Sequence, residues 1–149
     1  GLAFTPDGAR LASACADNSI RFWDVAKRQE LAELRGHDKY VHAIAHPTGV
    51  HLGKREPYHF DFKEVCAAAV DNNVCLEINA FPIRLDLNGA NVYHAREYGV
   101  KFVIDTDAHR ADHMDFMKFG VTTARRGWLA KSDVLNTLSY ADLMKNLRK

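Results

Sequence analysis

The chain has 149 residues, 47% of them hydrophobic and 26% charged, and its 20 Lys and Arg against 19 Asp and Glu leave a formal charge of +1. That length is ordinary for one domain, and the composition is that of an ordinary globular protein, with nothing that suggests disorder. A charge so close to zero supplies no general basic field, so any contact with a phosphate backbone has to be local. Cys15, Cys66 and Cys75 are odd in number and form no C-x-x-C pair, which argues against a disulfide framework and a thiolate zinc site and for reduced thiols in a cytoplasmic protein. No apolar run is long enough to span a bilayer and no basic-then-apolar leader opens the text. The first residues, "GLAFTPDG", read as the interior of a strand and its turn, so the chain is expected to begin mid-domain.

From Gly1 to about His37, short alternating segments, "LAFTPDG", "ARLASACADNS", "IRFWDV" and "LAELRGH", are separated by Pro-Asp-Gly and Asp-Asn turns, the pattern of antiparallel hairpins. After about Lys39 the pattern changes. "YVHAIA", "VCLEINA" and "KFVID" are near-continuous apolar runs, as expected for strands buried on both faces of a parallel sheet. A helix is expected after the first of these, with Asp61 as N-cap, Glu64 in capping-box position and Phe62, Val65, Cys66, Ala69 and Val70 on one face. "NGANVYHAREYG" repeats the pattern with Asn88 as cap, Val92, Ala95 and Tyr98 inward and Gly99 as terminator. Two short helices are expected from Ser132 onward, the second opened by Ser139 with Asp142. The succession strand, helix, strand, helix, strand predicts a parallel α/β sheet with right-handed crossovers.

Residues 1–37 resemble one WD repeat of a β-propeller: they carry its turn, its D-x-x-I step, the Trp23-Asp24 pair and a closing Gly36-His37. The resemblance implies that Asp17 and His37 hold turns within a blade and that Trp23 packs on a neighbouring blade. One repeat cannot bury its faces alone, so a partner is expected through this blade. The stretch "GHDKYVHAIAHPTG" invites a second-blade reading, because Pro6 and Gly8 match Pro47 and Gly49 at a shift of 41 residues. That shift sets Asp17 against Tyr58, Ile20 against Asp61 and Trp23 against Glu64, so the residues that make a blade are missing and the repeat stops.

From about Lys39 to the end, "AHPTG", "KREPY", "LEINAFPIRLDL", "GVKFVIDTDAH" and "MKFGVTTARRGWLAKSDVLNTL" resemble the last part of a PHP (polymerase and histidinol phosphatase) domain, in the version found in bacterial family X DNA polymerases. Reactive residues of parallel barrels and open α/β sheets gather at the C-terminal ends of strands. His46, Asn79, Asp107 and His109 fall there, and in an extended segment Asp107 and His109 would project to the same side. Imidazole with carboxylate and no thiolate suits zinc, manganese or iron, with magnesium a further possibility.

The resemblance implies that His46, Asp107 and His109 are metal ligands, Asp107 and His109 being catalytic, in a multinuclear site that polarises a phosphate oxygen and activates water. It implies phosphoester hydrolysis, as 3′-to-5′ exonuclease or end-processing of DNA 3′ ends in repair, with Asn79 and Arg84 on the substrate side. His42, His51, His59, His94 and His113 match no ligand position and read as surface or packing residues. Arg125 and Arg126 are read either as contacts to a nucleic-acid backbone or as a solvated helix end with Trp128 packed beneath it.

The expected fold is therefore α/β, a partial (β/α) barrel-like PHP fragment over residues 38–149 joined to an antiparallel blade over residues 1–37. A complete barrel needs on the order of 250 residues, and the H-x-H pair and further ligands of the family's early strands have no counterpart in this text. Val50 stands where a basic residue is expected after "HPTG". Impaired activity is expected, and the chain reads as a fusion or truncated product joined near an accidental similarity. Two alternatives remain: a non-catalytic WD-repeat binding protein, and a small-molecule phosphatase of histidinol phosphatase type, which the text around "ARRGWL" disfavours.

Overall fold

The computed structural model describes residues 2–4, 10–14, 19–35 and 42–147. Two sheets are present, and each is described by itself. The first is an antiparallel meander of β1 (Leu2–Phe4), β2 (Arg10–Ala14), β3 (Ser19–Asp24) and β4 (Gln29–Arg35) in sequential order. Its register runs from Leu2 opposite Ser13 through Leu11 opposite Trp23 to Ser19 opposite Arg35, with a shift between Phe22 and Trp23. The hairpin joining β3 to β4 is tied by Asp24, whose carboxylate accepts the Lys27 N–H at 2.9 Å. Four antiparallel strands agree with the sequence pattern. Asp17, the Pro6 to Gly8 turn, Cys15 and the Gly36-His37 junction lie outside the described residues.

The second sheet is parallel, in the order β5 (Ala43–Ile44), β6 (Cys75–Asn79), β7 (Phe102–Asp105). Ile44 lies beside Leu76, and Leu76 beside Phe102, so the three strands end at one edge. Every residue of β6 is buried, which explains its apolar text, whereas β7 alternates between buried and half-buried. No closed barrel forms among the described residues. Beyond β7 the edge is completed by a side chain: Asn136 accepts the Ile104 N–H at 3.1 Å and donates to the Ile104 carbonyl at 2.7 Å, in place of a further strand.

The crossovers are α1 (Phe62–Asp71) and α2 (Gly89–Glu97), followed by α3 (Met117–Arg126) and α4 (Tyr140–Leu147). Asp61 caps α1 by accepting the Lys63 and Glu64 N–H groups at 2.9 and 3.3 Å, and Asn88 caps α2 by accepting that of Asn91 at 2.9 Å. Gly99 follows α2 at φ +87°, a left-handed turn that a side chain would strain. Val65, Cys66 and Ala69 face inward from α1, and Val92 and Ala95 from α2, as their spacing requires. Val70 and Tyr98, expected inward, are 42% and 43% exposed, Tyr98 standing at the C-cap just past the end of α2. Helix α4 opens with Ser139 and Asp142 bonded to each other, while the first expected tail helix resolves into two 3₁₀ turns, Lys131–Asp133 and Leu135–Thr137. Trp128 is 74% exposed and at φ +60°, so it does not pack beneath the arginines.

Leu76, Ile78, Leu87, Val92 and Phe102 are fully enclosed and centre the core, each contributing about 1.5–3 kcal/mol by burial. Helix α3 reaches the sheet through Gly120, where a Cβ would stand 2.5 Å from Ile104 Cγ2 and 3.0 Å from Ala80 Cβ. Gly120→Val is therefore expected to force α3 off β6 and β7 and to cost about 1–3 kcal/mol, read as a lowered urea midpoint at unchanged helix content.

Candidate active site

The parallel register sets Asn79 beside Asp105 at the C-terminal edge of the sheet, with His46 two residues beyond β5 and Asp107 two beyond β7. At that edge lies a buried carboxyl group. Glu77, only 4% exposed, accepts the backbone N–H of His46 at 2.5 Å, and its other oxygen accepts from the Asn79 amide at 3.3 Å. Burial, and then a hydrogen bond shared with the Asp105 carboxylate, push the Glu77 carboxyl up to about 9. Its Oε2 also lies 3.5 Å from His46 Nδ1. Asp105 in turn accepts the Asp107 N–H at 2.9 Å.

Both side chains at the mouth are carried by left-handed backbone, His46 and Asp107 each at φ +50°. Glu77 and Asp105 accept the N–H groups of these two residues, which over-determines conformations that cost about 1–2 kcal/mol per non-glycine residue. His46 Nε2 comes to 3.8 Å from Asp107 Oδ2, with both side chains partly open to solvent. Donors about 2.1 Å from a zinc ion lie no more than about 4.2 Å apart, so this pair spans a distance that one cation bridges. On the other side of the imidazole, the Asn79 amide nitrogen is 3.3 Å from Nδ1.

The third residue expected at the site is placed differently. Because Asp107 is left-handed, the segment after β7 is not extended and Asp107 and His109 do not share a face by alternation. His109 turns Nδ1 to the Asp107 carbonyl oxygen at 2.7 Å, and its N–H donates to His113 Nδ1 at 3.2 Å. Among the described residues, no three or more His, Cys, Asp or Glu surround a common point as a metal cage would require. His46 and Asp107 meet, and His109 stands one turn aside.

Asn79 is 1% exposed, with its amide engaged as above and its carbonyl accepting the Phe81 N–H at 2.9 Å, so it lies beneath His46 instead of at the surface. Arg84 is half-buried and donates to the Val50 carbonyl at 3.1 Å. The loop between them is anchored by Asp86, fully buried, which accepts both the N–H and the hydroxyl of Thr48, at 3.0 and 2.8 Å. Burial outweighs these hydrogen bonds and raises the Asp86 carboxyl above its ordinary range. Glu77, Asp86 and Asp105 went unrecognised in the sequence. The available signal was a charged residue inside an otherwise apolar strand, as in "VCLEINA".

Paired acids thus lie beneath a histidine at the C-terminal ends of the parallel strands of an α/β unit, the edge at which open α/β sheets place their ligand sites. Comparison with known proteins adds two findings. Residues 1–24 match the family WD domain, G-beta repeat. Over 125 residues, 84% of its length, the chain is 44% identical to the DNA polymerase/3'-5' exonuclease PolX of Bacillus subtilis (strain 168), of which that match covers 21%. The chain thus spans about a fifth of the relative it matches and is PolX-related in sequence.

Glu77→Gln removes the titrating group, at the cost of one acceptor, because its amide nitrogen must face either the His46 N–H or the Asn79 amide. The stability that protonated Glu77 contributes is complete below the ordinary carboxyl value of 4.5 and is lost as pH rises through about 9. Urea titrations are therefore expected to show wild-type stability falling from pH 4.5 toward pH 9, and the variant without that fall.

Proposed function

We propose that the α/β unit, residues 38–149, is part of a PHP-type phosphoesterase module of the family X polymerase kind, acting on DNA 3′ ends, and that the blade, residues 1–37, meets a protein partner. The observation that carries this reading is the approach of His46 Nε2 to Asp107 Oδ2 at 3.8 Å at the C-terminal strand edge. The likeness to an exonuclease over most of the chain supports it, and the WD match with the four-stranded meander supports the blade. Cys66 and Cys75, free and buried, accord with a reducing, cytoplasmic setting, and among the described residues no helix is long and apolar enough to cross a membrane.

The donors fit a divalent cation in kind, one imidazole nitrogen and one carboxylate oxygen within bridging distance, and they make up part of its shell. His46 and Asp107 would hold zinc or manganese, with iron or magnesium as further candidates, and His109 would join them once its Nδ1 leaves the Asp107 carbonyl. Such a cation supplies Lewis acidity toward a phosphate oxygen and lowers the pKa of water. The chain's own residues do the positioning. Glu77 and Asn79 lie against the Nδ1 side of the His46 ring, at 3.5 and 3.3 Å, which leaves Nε2 as the nitrogen facing Asp107. Asn79 holds Glu77 in place, and Arg84 stands by the loop as a donor for phosphate.

Titration of the purified protein with manganese and with zinc, read by calorimetry, is expected to show binding that Asp107→Ala weakens at least about tenfold. Release of nucleotides from a 3′-labelled single strand should fall in parallel. Metal content unchanged by that substitution, with no nucleotide release from wild type, would overturn the reading.

A further inference from the structure

The residues flanking the His46–Asp107 pair form two chemically different surfaces joined by one turn. After β6, the chain makes a tight turn in which the Arg84 and Leu85 N–H groups donate to the Phe81 carbonyl at 2.8 and 3.0 Å. Its first residue enters an aromatic group and its last a cationic one.

On the cationic side, Arg84 donates to the Val50 carbonyl at 3.1 Å, and Arg55 Nε donates to the Gly49 carbonyl at 2.8 Å while its guanidinium lies 5.4 Å from the Tyr58 ring centre. A short turn, closed by the Lys54 and Arg55 N–H groups on the His51 carbonyl, adds Lys54. Desolvation, and then the charges of Lys54, Arg84 and Arg55, hold the His51 imidazole below its ordinary range. Among the described residues no carboxylate pairs with Lys54, Arg55 or Arg84. Three cations thus converge without internal neutralisation, in a chain whose net charge is +1. Both arginines are bonded to the loop that begins at His46, which ties their position to that of the imidazole.

On the aromatic side, the Phe81 ring stands edge-on to Phe116 and His113, at 5.3 and 5.1 Å between centres, and His113 stacks on Phe116 at 5.1 Å and 24°. His109 lies 6.3 Å from Phe81, and Phe119, 38% exposed, extends the group at 6.1 Å from Phe116. Phe81, His113 and Phe116 are half-buried, so the group is open to solvent on one side. Unpaired cations beside an accessible aromatic group are the two components that single-stranded nucleic acid requires, one for the backbone and one for the bases.

We propose that the turn from Phe81 to Arg84 is the centre of a binding surface for the end of a single DNA strand: Lys54, Arg55 and Arg84 take its phosphates, and Phe81, His113 and Phe116 take a terminal base. The choice of DNA rests on the phosphoesterase reading above. The surface itself stands on the cations and rings, and it places a phosphodiester beside His46 and Asp107.

Fluorescence anisotropy in chelator, where no hydrolysis occurs, separates the two readings. The probes are an oligothymidine and an abasic strand of equal length and charge. Wild type is expected to bind the first at least about fivefold more tightly than the second. Phe81→Leu should remove most of that difference while leaving abasic binding unchanged. Lys54→Gln/Arg84→Gln should weaken both probes and flatten the salt dependence, lowering the slope by about 1.4. Circular dichroism of each variant confirms the fold. Equal binding of the two probes by wild type, or folded variants that bind both probes as wild type does, would overturn the proposal. A failure of metal binding alone, with these differences intact, would overturn the hydrolytic reading and leave the surface standing.

Discussion

The site edge depends on one buried group, the Glu77 carboxyl. A carboxylate in a strand buried on both faces is costly, and burial, with the Asp105 side chain beside it, pushes the Glu77 carboxyl up. The two acids then act as backbone acceptors, one for His46 N–H and the other for Asp107 N–H. Two loops from different strands are held by neighbouring groups, so the imidazole and carboxylate at the mouth meet because the acids beneath them meet.

A second buried acid works in the same manner one layer out. Asp86 fixes Thr48, and through it the turn after His46, while its own carbonyl accepts the Asn79 N–H at 2.5 Å. The region from β6 to α2 therefore anchors both the floor and the wall of the site. It also carries Phe81 and Arg84, which explains why one continuous stretch, "LEINAFPIRLDL", contains so much of what surrounds His46.

Much of this architecture is legible in the sequence. The change from alternating to continuous apolar text marks the two sheets, Asp61 and Asn88 mark their helices, and His46 and Asp107 stand just after strands, as the text suggests. What was hidden has physical reasons. Strand alternation presumes extended backbone, and the left-handed turn at Asp107 breaks it, so spacing alone does not give the direction of His109. Helical periodicity identifies an inward face but not where the helix stops, hence Tyr98 at the C-cap of α2. Glu77 and Asp86 carry no spacing signature at all, because their partners are a backbone amide 31 residues away and a threonine 38 residues away. Such tethers become visible only when the strands are laid side by side.

The positive φ at His46 and Asp107 has a consequence for how this protein trades stability against use. Glycine adopts that conformation without penalty, so at either position it would relax the backbone and leave the hydrogen bonds of the peptide unit in place. The most comfortable chain for this fold is one with no side chains at its mouth. The chain retains an imidazole and a carboxylate where the backbone would rather have nothing, and the folding free energy forgone there is the margin by which the sheet can support a site.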